Sequence, residues 1–271
     1  MILAVLFFST AKADVGDAKK FHHMPLTLHK EGVIRVMVVD TGVDFNHPLL
    51  QKFLDADDAV THPEQYIDYH GHGTHITGLI LYGYGIQALK IHQIPKSVCH
   101  QVQITSCKYF PASSQPDKHN LNRTIDCFKR AVAEDFDVVN YSAYGADPSA
   151  SEYEAIVEMK INGILLMTSA GNNHINIKIN PQFPEGYAFG TKLYPALDNV
   201  IPLMALGNNL EIAKYSNYGR IMPMEVSSGE FSTLPQDGYG IMYGTSQATA
   251  IYLHKLLVDK CKEFDKPPQN K

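Results

Sequence analysis

Apolar residues in this chain follow two rhythms. Val33–Val39 (VIRVMVV), Val138–Tyr141 (VVNY), Ile164–Ser169 (ILLMTS) and Val200–Leu206 (VIPLMAL) are short runs, apolar almost throughout and rich in branched side chains. Val102–Phe110 alternates apolar and polar positions. Among these runs lie Gly73–Leu81, Arg123–Glu134, Ser151–Ile161 and Ser246–Val258. Their apolar residues recur at helical spacing, such as Ile125, Phe128, Ala131 and Val132, or Ala250, Leu253 and Leu257. A strand that is apolar on both sides needs cover on both faces, and segments with a 3.6-residue period provide it. The pattern predicts an α/β fold, a three-layer α/β/α sandwich with a mostly parallel central sheet. No repeat or low-complexity segment interrupts it. Residues 14–271 read as one domain, and the polar end from Lys262 to Lys271, which holds Pro267-Pro268, is expected to fray.

The start of the chain breaks this rhythm. Ile2–Phe8 is an unbroken apolar run, and Ala11-Lys12-Ala13 has the small-x-small form of a signal-peptidase site. The run is far short of the roughly 20 residues that span a bilayer as a helix. Residues 1–13 therefore read as a signal peptide, with a secreted or periplasmic protein as the consequence. No Lys or Arg precedes the run, and an N-terminal strand is the alternative. No other stretch is long and apolar enough to cross a membrane.

Composition narrows the classes further. Apolar residues make up 45% of the chain and charged ones 19%, which fits a buried core rather than disorder. A formal charge of -5 gives no basic field for nucleic acid. Cys99, Cys107, Cys127 and Cys261 form no Cys-x-x-Cys pair, so a zinc ribbon has no support. In an exported protein they allow one or two disulfides. Cys99 with Cys107 or Cys127 are the choices near in sequence, and buried free thiols fit equally well.

Three segments carry candidate chemistry. Asp40-Thr-Gly-Val43 directly follows the VMVV run, and the carboxyl ends of parallel strands are where open α/β sheets build their sites. His70-Gly-His-Gly-Thr-His75 opens a helical segment. Gly244-Thr-Ser-Gln-Ala-Thr-Ala250 places Ser246 at the start of another, where it is either a cap or a nucleophile at a positive helix end. Each is ordinary alone. Together, acid, then histidine, then serine is one of the chain orders of a Ser–His–Asp site. A serine hydroxyl needs a neighbouring base, imidazole titrates near neutrality, and a carboxylate fixes the imidazole tautomer. The offsets of two and three among His70, His72 and His75, with no partner glutamate, do not fit a zinc site.

These blocks resemble the subtilisin-like serine proteases (subtilases, peptidase family S8). Asp40-Thr-Gly-Val-Asp44, Asp68-Tyr-His-Gly-His-Gly-Thr-His-Ile-Thr-Gly78 and Gly244-Thr-Ser-Gln-Ala-Thr-Ala250 match its three catalytic blocks in order. Ser169-Ala-Gly-Asn172 and Val138–Gly145 match its oxyanion loop and cleft strand, and the resemblance runs from Val33 to Leu257. It implies a subtilisin-like fold and a serine endopeptidase. Ser246 would be the nucleophile, His72 the general base and then acid, Asp40 its orienting group, and Asn172 with the Ser246 N–H the oxyanion hole. Ser142, Ala143, Tyr144 and Gly145 with Ser169, Ala170 and Gly171 would bind substrate, their backbone pairing with an extended peptide. The resemblance places Leu193 at the base of the pocket for P1, the residue on the acyl side of the scissile bond. It also makes Tyr194–Pro195 a cis bond; by their place in the stretch, His75 reads as a packed helix residue and His70 as a loop residue near the cleft.

Three positions and one segment depart from the family: Gln247 replaces the usual Met, Ala250 the usual Pro, Leu49 the Asp of His-Pro-Asp, and LYGYGIQALK an Asn-rich loop. The last two remove oxygen ligands, so no tight calcium is expected there. The expected partners are protein or peptide substrates, with no cofactor, no metal, no nucleic acid, no membrane span and a monomeric chain. A catalytically impaired binding domain on the same fold and a narrow-specificity processing protease are the alternatives.

Overall fold

The first strand shows how the layers arise. In β1 (Ile34–Asp40), Ile34, Val36 and Val38 join an apolar cluster that holds Ile76, Leu79, Ile251 and Leu253, while Met37 and Val39 join another that holds Ile125, Phe128, Ile156 and Met159. Successive side chains of a strand point to opposite faces, so a run apolar throughout supplies two cores. The structure is a computed structural model that describes residues 32–264, except 94, 111–116, 118 and 220–223. The signal peptide expected at 1–13 lies outside the described residues.

β1 pairs with β2 (Val102–Lys108) on one side and β3 (Val138–Tyr141) on the other, and the sheet continues through β4 (Leu165–Ser169), β5 (Val200–Leu206) and β6 (Met224–Val226). Every neighbouring pair is parallel. A short helix, α1 (Ala56–Thr61), precedes α2 (His72–Tyr82), which packs with α5 (Thr245–Phe264) on one face. α3 (Asn120–Ala133) and α4 (Ala150–Ile161) cover the other. The three-layer expectation holds. The strand order 2-1-3-4-5-6 reverses direction at β1, so the carboxyl end of β1 is the switch point of the sheet.

Other details differ from the sequence pattern. An antiparallel hairpin, β7 (Glu230–Leu234) and β8 (Gly238–Met242), lies against α2, with Ser232 Oγ and Thr233 Oγ1 donating to the carbonyls of His75 and Thr74. α5 runs on to Phe264, and the tail beyond lies outside the described residues. Cys99 joins neither of its sequence-near candidates. It bonds Cys261 at the far end of α5, and Cys107 on β2 bonds Cys127 on α3, because α3 packs over β2. Among the described residues the cis bond is Phe183–Pro184. Tyr194–Pro195 is trans, and the turn before it closes through the Thr191 N–H to the Tyr194 carbonyl at 2.7 Å.

Candidate active site

Three strand ends and two helix starts meet at the carboxyl edge of the sheet. Asp40 is the last residue of β1, His72 the first of α2, and Ser246 the second of α5. His72 Nδ1 lies 2.8 and 3.0 Å from the two oxygens of the buried Asp40 carboxyl, which also accepts the Thr41 N–H at 2.8 Å. Burial disfavours a charged His72 ring, but the Asp40 charge and hydrogen bond, with Asp68 further off, outweigh it and raise the pKa.

Two glycines permit this placement. Gly71 takes φ +90°, which turns the chain into α2. A side chain at Gly73 would sit 2.0 Å from the Gly42 carbonyl oxygen and 3.1 Å from Asp40 Cβ, so only glycine lets α2 start this close to β1. Asp68 organises the same turn. Its Oδ1 accepts from Thr41 Oγ1 (2.9 Å), His70 N (3.0 Å) and Gly71 N (2.7 Å), and its Oδ2 from Thr74 N (2.9 Å) and Thr74 Oγ1 (2.7 Å). Free N–H groups at a helix start need such acceptors. Asp44 accepts the backbone N–H of Asn46 and of Gln236, tying this loop to the β7–β8 turn.

The three histidines of the HGHGTH stretch separate. His75 is buried, its Nε2 lies 3.0 Å from the Glu230 carbonyl, and burial beside His72 pulls its pKa down to about 4. It is a neutral tie between α2 and β7. His70 is exposed and stands edge-on to Phe110. Among the described residues no group of three His, Cys, Asp or Glu converges as metal ligands would.

Ser246 and His72 share an open cavity of ≈ 370 Å³ with Asn172, Ile241, Met242, Tyr243 and Gln247. They are not hydrogen bonded to each other. Ser246 Oγ donates to the Ser142 carbonyl at 3.4 Å. Asn172 Oδ1 accepts both the N–H and the hydroxyl of Thr245 at 2.9 Å, which leaves its amide N–H groups as what the side chain offers a ligand. Thr245 is a contributor that sequence reasoning missed. The Gly-Thr-Ser block contained it, but its partner lies 73 residues away.

The segments expected to bind substrate are tied into the fold. Ser142 to Gly145 leave β3 and Ser169 to Gly171 end β4, so the two segments run side by side. The backbone of Gly145 is already paired in both directions with Phe183, at 2.8 and 2.9 Å. Ala170 N–H donates to Leu203, its carbonyl accepts from Asn217, and Gly171 is bonded to Thr245 and Asn217. These groups are paired within the fold and are not open for pairing with a peptide. Leu193 is 76% exposed on the rim of a separate groove, so it is no pocket base.

Comparison with known proteins bears on the family and the fold. A model of the subtilase family (Peptidase_S8) matches residues 32–252. The chain is 26% identical over 220 residues to the minor extracellular protease Epr of Bacillus subtilis (strain 168), covering 80% of this chain and 30% of that protein. It is 26% identical over 247 residues to an intracellular serine protease of Paenibacillus polymyxa, covering 86% of this chain and 69% of that one. It spans 30%, 64% and 16% of the length of the first three curated relatives it matches. Among solved structures, S41 psychrophilic protease superposes with a TM-score of 0.65 at 20% identity, covering 87% of this chain and 79% of that one. A cold-adapted subtilisin-like serine proteinase gives 0.64 at 20% identity, with 87% and 78% covered. At such identity the superpositions concern the fold. With its sheet, its three ordered blocks and a family match across most of its length, the chain belongs to the subtilase family.

Proposed function

We propose that this chain is a serine endopeptidase that cleaves protein or peptide bonds through an acyl-enzyme on Ser246. The observation that carries the reading is His72, bonded from behind by the buried Asp40, facing the same cavity as Ser246 and Asn172. His72 Nδ1–H donates to Asp40, which leaves Nε2 as the base. Rotation of Ser246 Oγ from the Ser142 carbonyl toward Nε2 gives the attacking geometry; catalytic hydrogen bonds are often long or misaligned before substrate binds. Ser246 then attacks the scissile carbonyl, and His72 takes its proton and returns it to the leaving amine. The Asn172 amide and the Ser246 backbone N–H receive the developing oxyanion. Losing one such donor costs about 10²–10³ in kcat, a figure established on another subtilase.

Substrates bind extended along Ala143–Tyr144, and the chain acts as a monomer. The two disulfides support an oxidising, secreted or periplasmic setting. The Ser246–Ser142 contact is what favours the second reading, a catalytically impaired binding domain. One experiment decides. The parent and Ser246→Ala are incubated with casein and with a fluorophosphonate probe. Labelling and cleavage by the parent alone support the protease; a folded parent that neither labels nor cleaves is the binding domain.

A further inference from the structure

The two segments that follow β3 and β4 beside Ser246 are bridged by a side chain. The first begins at the nucleophile, where the Ser142 carbonyl is 3.4 Å from Ser246 Oγ. Two residues along it, Tyr144 reaches across to the second. Its hydroxyl donates to Asn173 Oδ1 and lies against the backbone of Asn172. Tyr144 is 38% exposed, so it lies at the surface between the two segments rather than in the core. Behind it, the backbone of Gly145 is fixed to Phe183 by two hydrogen bonds, which keeps the first segment from moving outward. Two residues beyond the bridge on each segment, Ala146 and Ile175 line a separate apolar groove of ≈ 550 Å³ with Pro148, Ile179, Phe183 and Leu193. That groove contains none of the catalytic candidates.

We propose that Tyr144 is a size filter: it divides the cleft into a short slot at Ser246 and a cut-off apolar groove, so the enzyme accepts glycine, alanine or serine at P1 and rejects large side chains. The proposal rests on the protease reading. A large P1 residue enters only when the ring swings out and its hydrogen bond to Asn173 breaks. A small one fits beneath.

A matched pair of tripeptide p-nitroanilides ending in Ala or Phe tests this. The parent should show kcat/KM for Ala about tenfold or more above that for Phe, a discrimination within reach of a single pocket contact. Tyr144→Gly joins slot and groove and should shift the Phe/Ala ratio upward by about tenfold or more. Tyr144→Phe keeps the ring and should keep the preference for Ala. Active sites are counted by fluorophosphonate labelling in every variant, and Tyr144→Ala replaces Tyr144→Gly should the latter fail to label. A labelled parent that takes Phe as readily as Ala overturns the filter alone, as does an unchanged ratio in Tyr144→Gly. A parent that does not label overturns the protease reading, and the filter with it.

Discussion

Asp68 and Glu185 are both buried carboxyls, 7% and 0% exposed, and their surroundings are opposite. Asp68 accepts five hydrogen bonds at the start of α2, three of them from backbone N–H groups. Among the described residues the Glu185 carboxyl has no partner beyond its own backbone N–H, and burial, with Glu152 nearby, holds its pKa well above the ordinary carboxylate range. The site side of the sheet supplies acceptor-only groups with converging donors. The layer of α4 and Tyr187 supplies fewer, such as the Tyr187 hydroxyl at Glu152, and burial there favours the protonated carboxyl. A buried acid is thus a builder of the site only where a helix start or a loop aims N–H groups at it.

Asp40→Asn tests this distinction most severely. If Asp40 belongs with Asp68 as a positioning acceptor, kcat should fall about 10⁴-fold with the fold intact, as in other Ser–His–Asp enzymes. A loss under about tenfold would remove it from that role. In the parent, kcat/KM should rise with pH through a midpoint above 6.5, because His72 must shed a proton that Asp40 favours. Asp40→Asn should move that midpoint down.

Asp68→Ala leaves five donors without their acceptor. It should destabilise the protein by about 3 kcal/mol or more, read from urea unfolding, with Asp68→Asn milder because one carbonyl oxygen remains.

The neutral groups shift stability with pH in directions that can be checked. Burial raises the pKa of Glu152 from 4.5 to about 7. Below pH 4.5 both folded and unfolded chains hold the proton, so it carries no penalty there. Above that, the unfolded chain releases it first, and stability falls as pH rises to about 7. Glu152→Gln should therefore gain on the order of 3 kcal/mol at pH 8 and nothing at pH 4. An equal change at both would show that packing, not protonation, is at work.

His75 is the mirror case. It costs nothing above pH 6.5, and stability is lost as pH falls from 6.5 to about 4, because only the unfolded chain takes up the proton. The loss is on the order of 3 kcal/mol for this one ring, measured as the fall in unfolding free energy across that window. Asp44→Ala, which releases two loop N–H groups, should cost only about 1 kcal/mol.

The sheet was legible because its strands are buried on both faces. Val36, Val38 and Val39 leave no polar position to blur the run, and α2–α5 and α3–α4 then had to lie on opposite sides. The Asp40–His72 pair was legible because its groups stand in short contiguous blocks at element ends. The β7–β8 hairpin was not. Gly238-Tyr-Gly-Ile-Met242 carries two glycines and exposed apolar residues, so no alternation marks it, although Pro235-Gln-Asp-Gly238 is a turn signal that could have. The Cys99–Cys261 bond, the Asn172–Thr245 pair and the Tyr144–Asn173 bridge join residues far apart in sequence, and each exists only once the layers have packed.

The Cys99–Cys261 bond closes a ring across 162 positions of sequence. A proteolytic cut between those two cysteines leaves two fragments that remain covalently joined. Asp40 and His72 precede the ring, and Ser246 lies inside it, close to its second cysteine. A molecule nicked by any protease in a surface loop between Cys99 and Ser246 therefore still carries both halves of its site on one covalent body. Reduction would set them apart.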